Sequence, residues 1–236
     1  MLKPGDLLDL ESFSHRAIFD GVDKVWEALP AIATYLHEQA EELSRFEEAS
    51  ISPLADVADH GVILGAGCRV EAGAVIKGPT IIGAGSQIRA GAYIRGNAII
   101  GEDVVIGNSC EIKNAIIFDS AEIPHYNYVG DAILGHRAHL GAGVILSNVR
   151  LDRRNVVAAD GNGKRHDSGL RKFSAIVGDH TEIGCNSVIS PGSVIGARCI
   201  LYPLTHWQGY LPSDTIVKTQ QEQRLVPRVS STARET

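Results

Sequence analysis

LGAGCRVEAGAVIKGPTIIGAGSQIRAGAYI, residues 64–94, is the stretch from which the fold follows. Within it Leu64, Val70, Ile76, Ile82, Ile88 and Ile94 fall six apart, and the series runs on through Ile100, Ile106, Ile112 and Phe118. A period of six is neither the 3.6 of a helix nor the alternation of a two-faced strand. It marks a hexapeptide-repeat parallel β-helix, a mainly β fold in which one large apolar residue per hexapeptide plugs the axis of the coil. The position two before each plug is small: Ala74, Thr80, Ser86, Ala92 and Ala98, with Cys68, Cys110 and Cys199 at the same place. These three cysteines therefore read as buried free thiols, because a buried thiol behaves as a small hydrophobe.

Composition agrees with such a core. The chain is 44% hydrophobic but only 6% aromatic, with 25 glycines among its 236 residues. A formal charge of −6 argues against nucleic acid as the main partner. No stretch approaches the ~18 apolar residues of a membrane span. The opening Met1-Leu2-Lys3-Pro4-Gly5-Asp6 lacks the apolar segment of a secretion signal, so a cytoplasmic location is expected.

Residues 1–50 do not follow the six-residue period. From Gly21 to Ser44 the apolar residues Val22, Trp26, Leu29, Ile32, Leu36 and Ala40 have helical spacing, which predicts two helices meeting at Pro30. Solenoid ends need covering, so a helical cap on the end of the coil, or against a neighbouring subunit, is expected. The coil itself is expected over 51–205. Its register slips by four near Pro124, resumes at Leu134, Leu140 and Leu146, and is interrupted over 150–172 before returning at Val177, Ile183, Ile189, Ile195 and Leu201. The interruption carries seven basic and three acidic residues around Asp160-Gly161-Asn162-Gly163. That centre predicts a hairpin or loop projecting from a corner of the coil. Residues 206–236 lose the period and read as a tail.

With three hexapeptides per coil, residues eighteen apart stack. Lys77, Arg95 and Lys113 are so spaced at an outward position, a ladder of cations about 5 Å apart. A phosphate or pyrophosphate would suit it, and coincidence on an exposed face is the alternative. His125 sits where the register slips and is placed to act as a general base. His136, His139 and His180 raise a zinc site shared between subunits, as in the γ-class carbonic anhydrases, but their spacing makes no metal motif.

The segment from Lys113 to Asn148 resembles the acetyltransferase half of the bacterial and archaeal UDP-N-acetylglucosamine pyrophosphorylase/glucosamine-1-phosphate acetyltransferases. The likeness rests on H-x-x-Y-V-G-D at His125 to Asp131, L-G-A-G at Leu140 to Gly143, and Asn148. Ser147 to Asp152 and the insertion that follows look closer to the archaeal branch. The resemblance covers about 51–220, and the nucleotidyltransferase half is missing from it. It implies a left-handed β-helix, acetyl-CoA as co-substrate, no metal in the chemistry, and an amino-sugar phosphate or nucleotide-linked amino sugar as acceptor. His125 matches the catalytic base, with Glu111 as the group expected to orient it. Arg95 and Lys113 match residues holding the sugar-nucleotide phosphates, joined by Tyr128, by Lys172 beyond the insertion, and by Lys77 from the ladder. Ala142 and Asn148 match acetyl-CoA contacts, with Cys185 and Tyr202 aligned to two more. His139 stands where the bacterial enzymes have an asparagine against the sugar, and Val149 where they have a tyrosine.

The chemistry so implied is attack of a neutral amine on the thioester, with the Gly141–Gly143 turn supplying oxyanion donors. Flat coil faces require a cleft between copies, so a homotrimer is expected, with the insertion reaching across and Lys218, or Arg224 and Arg228, meeting the CoA phosphates. A non-catalytic sugar-nucleotide-binding or oligomerising module and a γ-class hydratase are the alternatives.

Overall fold

A computed structural model describes residues 2–39, 45–46, 48–220 and 222–227. The chain winds as a parallel β-solenoid whose two- to seven-residue strands stack into one nine-stranded and one fifteen-stranded sheet, beside a two-stranded hairpin. Each plug of the six-residue series from Leu64 to Ile112 is buried in a single interior column, together with Cys68, Cys110 and Cys199. Burying one such aliphatic side chain stabilises the fold by about 1.5–3 kcal/mol.

Three faces surround this column. The nine-stranded sheet, from Ser50–Ile51 to Ile216–Val217, forms one. A second, the ladder face, runs through Val75–Ile76, Tyr93–Ile94, Ile145–Leu146 and Val188–Ile189. A third, the covered face, runs through Val62–Leu64, Thr80–Ile82, Ala98–Ile100, Ala175–Val177 and Ser193–Ile195. The last two merge because the strands Glu111–Ile117 and Tyr128–Leu134 continue around the corner between them.

That corner explains the slip in register. Ile94 pairs with Ile112, but Ile100 pairs with Ile117, so one residue is lost there. A second is lost between Val129 and Leu134, one coil later at the same corner. Two losses of one in a period of six leave the phase that a slip of four would leave. The break is therefore not near Pro124. It also corrects Phe118, whose place on the six-residue lattice is accidental. Ile117 fills the interior, while Phe118 lies outside the coil against Phe13, with ring centroids 3.9 Å apart.

The coil is longer than 51–205 in both directions. Arg45–Phe46 pairs with Ile63–Leu64, and His206–Trp207, Tyr210–Leu211 and Ile216–Val217 extend all three faces. The interior there is filled by Trp207, Leu211 and Val217, and the step of four from Trp207 to Leu211 hides a coil that persists.

The N-terminal residues do not cap an end. They form 3₁₀ turns at Pro4–Asp6, Arg16–Phe19 and Val25–Ala31, the last running directly into an α-helix at Ile32–Gln39 with Pro30 inside the 3₁₀ segment. Of the predicted stripe, Trp26, Leu29, Ile32 and Leu36 are buried and Val22 is partly buried; Ala40 and Ser44 lie outside the described residues. They pack on the side of the coil against the outward residues Ile81, Ile99, Ile116, Ile133, Ile176 and Val194. The sequence shows this second apolar column as doublets, Ile81-Ile82, Ile99-Ile100, Ile116-Ile117 and Ile133-Leu134, in which one residue faces in and its neighbour faces out. Asp179 fixes the attachment by accepting from the backbone N–H of Asp9 at 2.6 Å and of His136 at 2.7 Å.

The interruption is a hairpin, Val157–Ala159 against Arg165–Asp167, turning at Asp160 to Gly163. It does not project. Val156, Ala158 and Phe173 are buried beside the N-terminal segment, with the Phe173 ring 5.7 Å from that of Trp26. Among the described residues no helix is long and apolar enough to cross a membrane.

Candidate functional site

Two corners flank the ladder face, and the residues singled out above collect at them. His125 ends the strand Glu122–His125 where the nine-stranded sheet turns toward the ladder face. Its main chain is pinned: its N–H donates to Asn127 Oδ1 at 3.0 Å and its carbonyl accepts from Gly143 at 2.9 Å. Its side chain is exposed, and among the described residues no hydrogen bond engages the ring. The backbone at His125 is thus fixed, while both ring nitrogens are open to a ligand.

Glu111 does not orient it. The Glu111 carboxylate accepts from Arg95 at 2.8 Å, and no hydrogen bond joins Glu111 to His125 among the described residues. The two belong to different strands: Glu111 opens the ladder face beside Tyr128, and His125 ends a strand of the nine-stranded sheet beside Asn108.

Lys77, Arg95 and Lys113 do stand in register on adjacent strands. They are not bare cations. Lys77 pairs with Asp56 at 2.7 Å, Arg95 with Glu111, and Lys113 with Asp131 at 3.1 Å. These hydrogen bonds hold the Lys77 ammonium and the Arg95 guanidinium above their usual pKa. The repulsion that made a bound anion necessary is answered by neighbouring carboxylates. The first two pairs are solvent-exposed and exchangeable, whereas the Asp131 side chain is 5% exposed.

Asp131 gathers the second corner. It accepts from Lys113 Nζ at 3.1 and 3.2 Å, from Asn114 Nδ2 at 2.9 Å and from Asn148 Nδ2 at 2.6 Å. Asn148 Nδ2 also donates to Tyr128 Oη at 3.0 Å. Burial, then the charges of Asp131 and Glu111, push the Tyr128 phenol up. The Tyr128 ring lies over Gly130, where a Cβ would collide with the phenol oxygen. Lys172 is exposed and adjoins this corner through the next residue, since the Phe173 N–H donates to the Asn148 carbonyl at 3.0 Å.

The remaining residues lie elsewhere. His139, Cys185 and Tyr202 line an apolar groove of about 310 Å³ on the nine-stranded sheet, and Lys218 Nζ stands 5.9 Å from the centre of the Tyr202 ring. His139 is thereby separated from Tyr128 and bound instead to Glu182, 2.7 Å away. Val149 lines a different hollow of about 540 Å³ at the root of the hairpin, with Arg150, Arg165 and Ser190. Ala142 falls between the groove and His125. In its turn the N–H groups of Gly141 and Gly143 are spent on Ile183 and His125, so they are not the oxyanion donors expected; among the described residues the Ala142 N–H has no acceptor. Arg224 is exposed and Arg228 lies outside the described residues. His136 is taken up by the N-terminal segment, with Nε2 3.0 Å from Ser12 Oγ, and points to a different part of the molecule from His139. Among the described residues no three His, Cys, Asp or Glu side chains gather as metal donors.

Residues 76–162 match the family described as GMPPB C-terminal domain, and residues 55–78 and 174–202 the hexapeptide repeat of succinyl-transferase. An uncharacterized acetyltransferase, YaiX, of Escherichia coli O6:K15:H31 is 34% identical over 202 residues, spanning 83% of this chain and 87% of that protein. The chain belongs to the hexapeptide-repeat acyltransferase family. Other relatives are much longer, and the chain matches only about a quarter of their length. A bifunctional sugar-1-phosphate nucleotidylyltransferase/acetyltransferase of Sulfurisphaera tokodaii is 41% identical over 98 residues, 42% of this chain and 24% of its own length. The bifunctional protein GlmU of Methanococcus maripaludis is 40% identical over 106 residues, covering 42% of this chain and 25% of its own.

The sequence motifs alone did not single out Asp131 and Asn114. The signal was present. Asn97, Asn114 and Asp131 occupy successive corners with positive φ, where Asn and Asp are the usual non-glycine residues. Asp131 also closes the H-x-x-Y-V-G-D motif.

Proposed function

We propose that this acyltransferase moves an acetyl group from acetyl-CoA to the amine of an amino-sugar phosphate or nucleotide-linked amino sugar, and that it does so as a homotrimer. The observation that carries the reading is the position of His125, an unengaged imidazole on the corner between a polar bracket and an apolar groove. The bracket offers Tyr128, Asn148, Lys172 and the exchangeable Arg95 to a phosphorylated sugar. The groove offers Cys185, Tyr202 and Lys218 to the co-substrate, and the flatness of each face leaves a second copy to close the cleft.

The amine must be neutral to attack. His125 removes its proton as the nitrogen bonds to the thioester carbon, the Ala142 N–H faces the oxyanion, and collapse breaks the carbon–sulfur bond. The imidazolium then returns the proton to the departing CoA thiolate. Arg95 exchanges Glu111 for the substrate phosphate, which fits the family likeness of that position. The names of the longer relatives, which include sugar-1-phosphate nucleotidylyltransferase and acetyltransferase activities, support the acceptor class.

The test is thiol release from acetyl-CoA against a panel of amino-sugar phosphates and nucleotide amino sugars. His125→Ala is expected to lower kcat by about 10²–10⁴-fold. Unchanged turnover would remove His125 as the base. The internal pairing of all three ladder cations favours a second reading, a module that binds without turnover. Tight binding of an amino-sugar phosphate with no thiol release by the wild type would establish it.

A further inference from the structure

Asp131 has no part in the chemistry above, yet Lys113, Asn114 and Asn148 all donate to it, and Tyr128 is joined to it through Asn148. We infer that Asp131 is a positioning residue that sets the donor and acceptor pattern of the sugar subsite, an inference that rests on the acceptor reading just proposed.

The argument is one of hydrogen-bond accounting. A buried carboxylate accepts only, so each group facing it must present a hydrogen. Asn148 must therefore turn its NH₂ toward Asp131 Oδ2, and the second hydrogen of that NH₂ goes to Tyr128 Oη. With its oxygen accepting from Asn148, Tyr128 keeps its own O–H to donate outward. With both its hydrogens spent, Asn148 keeps Oδ1 as an acceptor, and among the described residues nothing donates to it. The corner thus shows a ligand one obligatory donor, Tyr128 O–H, beside one obligatory acceptor, Asn148 Oδ1. An amide flip would reverse the second and scramble the first, and the Asp131 charge forbids it.

The same carboxylate divides the labour of the ladder. Lys113 is held by both oxygens of a buried partner, while Arg95 is held by one oxygen of a half-exposed one. A phosphate can displace Glu111 from Arg95 at small cost, since exposed pairs contribute little. Taking Lys113 would strand Asp131 without its cation in a buried site, which is strongly unfavourable. Lys113 is then part of the bracket, and Arg95 is the cation available to the substrate. The site so organised suits a sugar that offers an oxygen to Tyr128 and a hydroxyl or amide hydrogen to Asn148, one phosphate reaching Arg95.

The pocket at the root of the hairpin does not compete for this role, because Arg150 there is already bound to Asp152 and no buried charge fixes its remaining donors.

Two measurements test the inference. The first is competitive labelling of lysines with trace acetic anhydride on the native full chain, read by mass spectrometry. Lys113 should label at least about fivefold more slowly than Lys77, whose partner Asp56 is exposed, because its ammonium hydrogens are engaged by a buried charge. In Asp131→Asn the contrast should vanish. The second is steady-state kinetics of the same variant. The KM for the amino-sugar phosphate should rise about tenfold or more, the loss expected for one charge-assisted hydrogen bond, while the KM for acetyl-CoA stays within about twofold. A purely structural role would instead lower the melting temperature and both affinities together.

Equal labelling of Lys113 and Lys77 in the wild type overturns the bracket without need of any variant. So does an Asp131→Asn protein with wild-type labelling and wild-type KM. If the labelling contrast holds but no amino-sugar phosphate is acetylated, the acceptor reading fails and the bracket stands as the organiser of a different ligand's site.

Discussion

Phe118 offers the sharpest test of how the N-terminal segment is held. The lattice of six puts it inside the coil; the structure puts it outside, fully buried between Phe13 and Phe19, with ring centroids 3.9 and 5.9 Å away. Phe118→Ala should therefore weaken docking of residues 2–39 and leave the coil intact. Truncating a buried phenylalanine costs about 3–5 kcal/mol, which includes the aromatic pair it makes. At about 1.4 kcal/mol per tenfold, the undocked population should rise by roughly 10²–10⁴. Native-state hydrogen exchange reads this directly: amides of the N-terminal segment should speed up by that factor, while those around Ile88 and Ile94 keep their rates. Ile100→Ala is the contrasting variant, since Ile100 fills the interior and its loss should weaken the coil by about 2–5 kcal/mol. If Phe118→Ala instead accelerates exchange throughout the coil and leaves the N-terminal segment protected, the placement of Phe118 outside the coil is wrong.

Two further outcomes follow from the same geometry. His15 lies in the docked segment with Nδ1 3.0 Å from Tyr35 Oη, and burial lowers its pKa below the ordinary 6.5. A histidine so lowered contributes stability that is present above 6.5 and lost as pH falls through its folded value. Protection of residues 2–39 should thus fall as pH is lowered through 6.5, and this loss should be absent from the His15→Gln curve. Asp179, raised above 3.8 by burial, gives the opposite slope in both proteins, so the difference between the wild-type and variant curves isolates the histidine. Wild-type and His15→Gln curves of the same shape refute this. Of the four cysteines, Cys185 alone is exposed, while burial pushes the thiols of Cys68, Cys110 and Cys199 up. A maleimide should label Cys185 first, and acetyl-CoA should slow that labelling if the groove beside Tyr202 holds the co-substrate; labelling indifferent to acetyl-CoA would place the co-substrate elsewhere.

By itself the sequence determined the coil. One residue in six must face inward, large apolar residues occupy that place with regularity, and the small residues and thiols two before them were legible for the same reason. The hairpin was legible in Asp160-Gly161-Asn162-Gly163, and the position of His125 in its motif. What the period could not say is where a residue is dropped without ending the coil. Both losses fall at one corner, where Lys113, Asn114 and Asn148 all meet the carboxylate of Asp131. Nor could it say which partner a long polar side chain takes, because Arg95 and Lys113 meet Glu111 and Asp131 only across neighbouring strands. Residues read as one site accordingly divide between a polar corner and an apolar groove, with His125 on the edge between them. The N-terminal stripe was visible, but its target was not: a stripe needs an apolar surface, and the outward column from Ile81 to Val194 exists only once the coils are stacked.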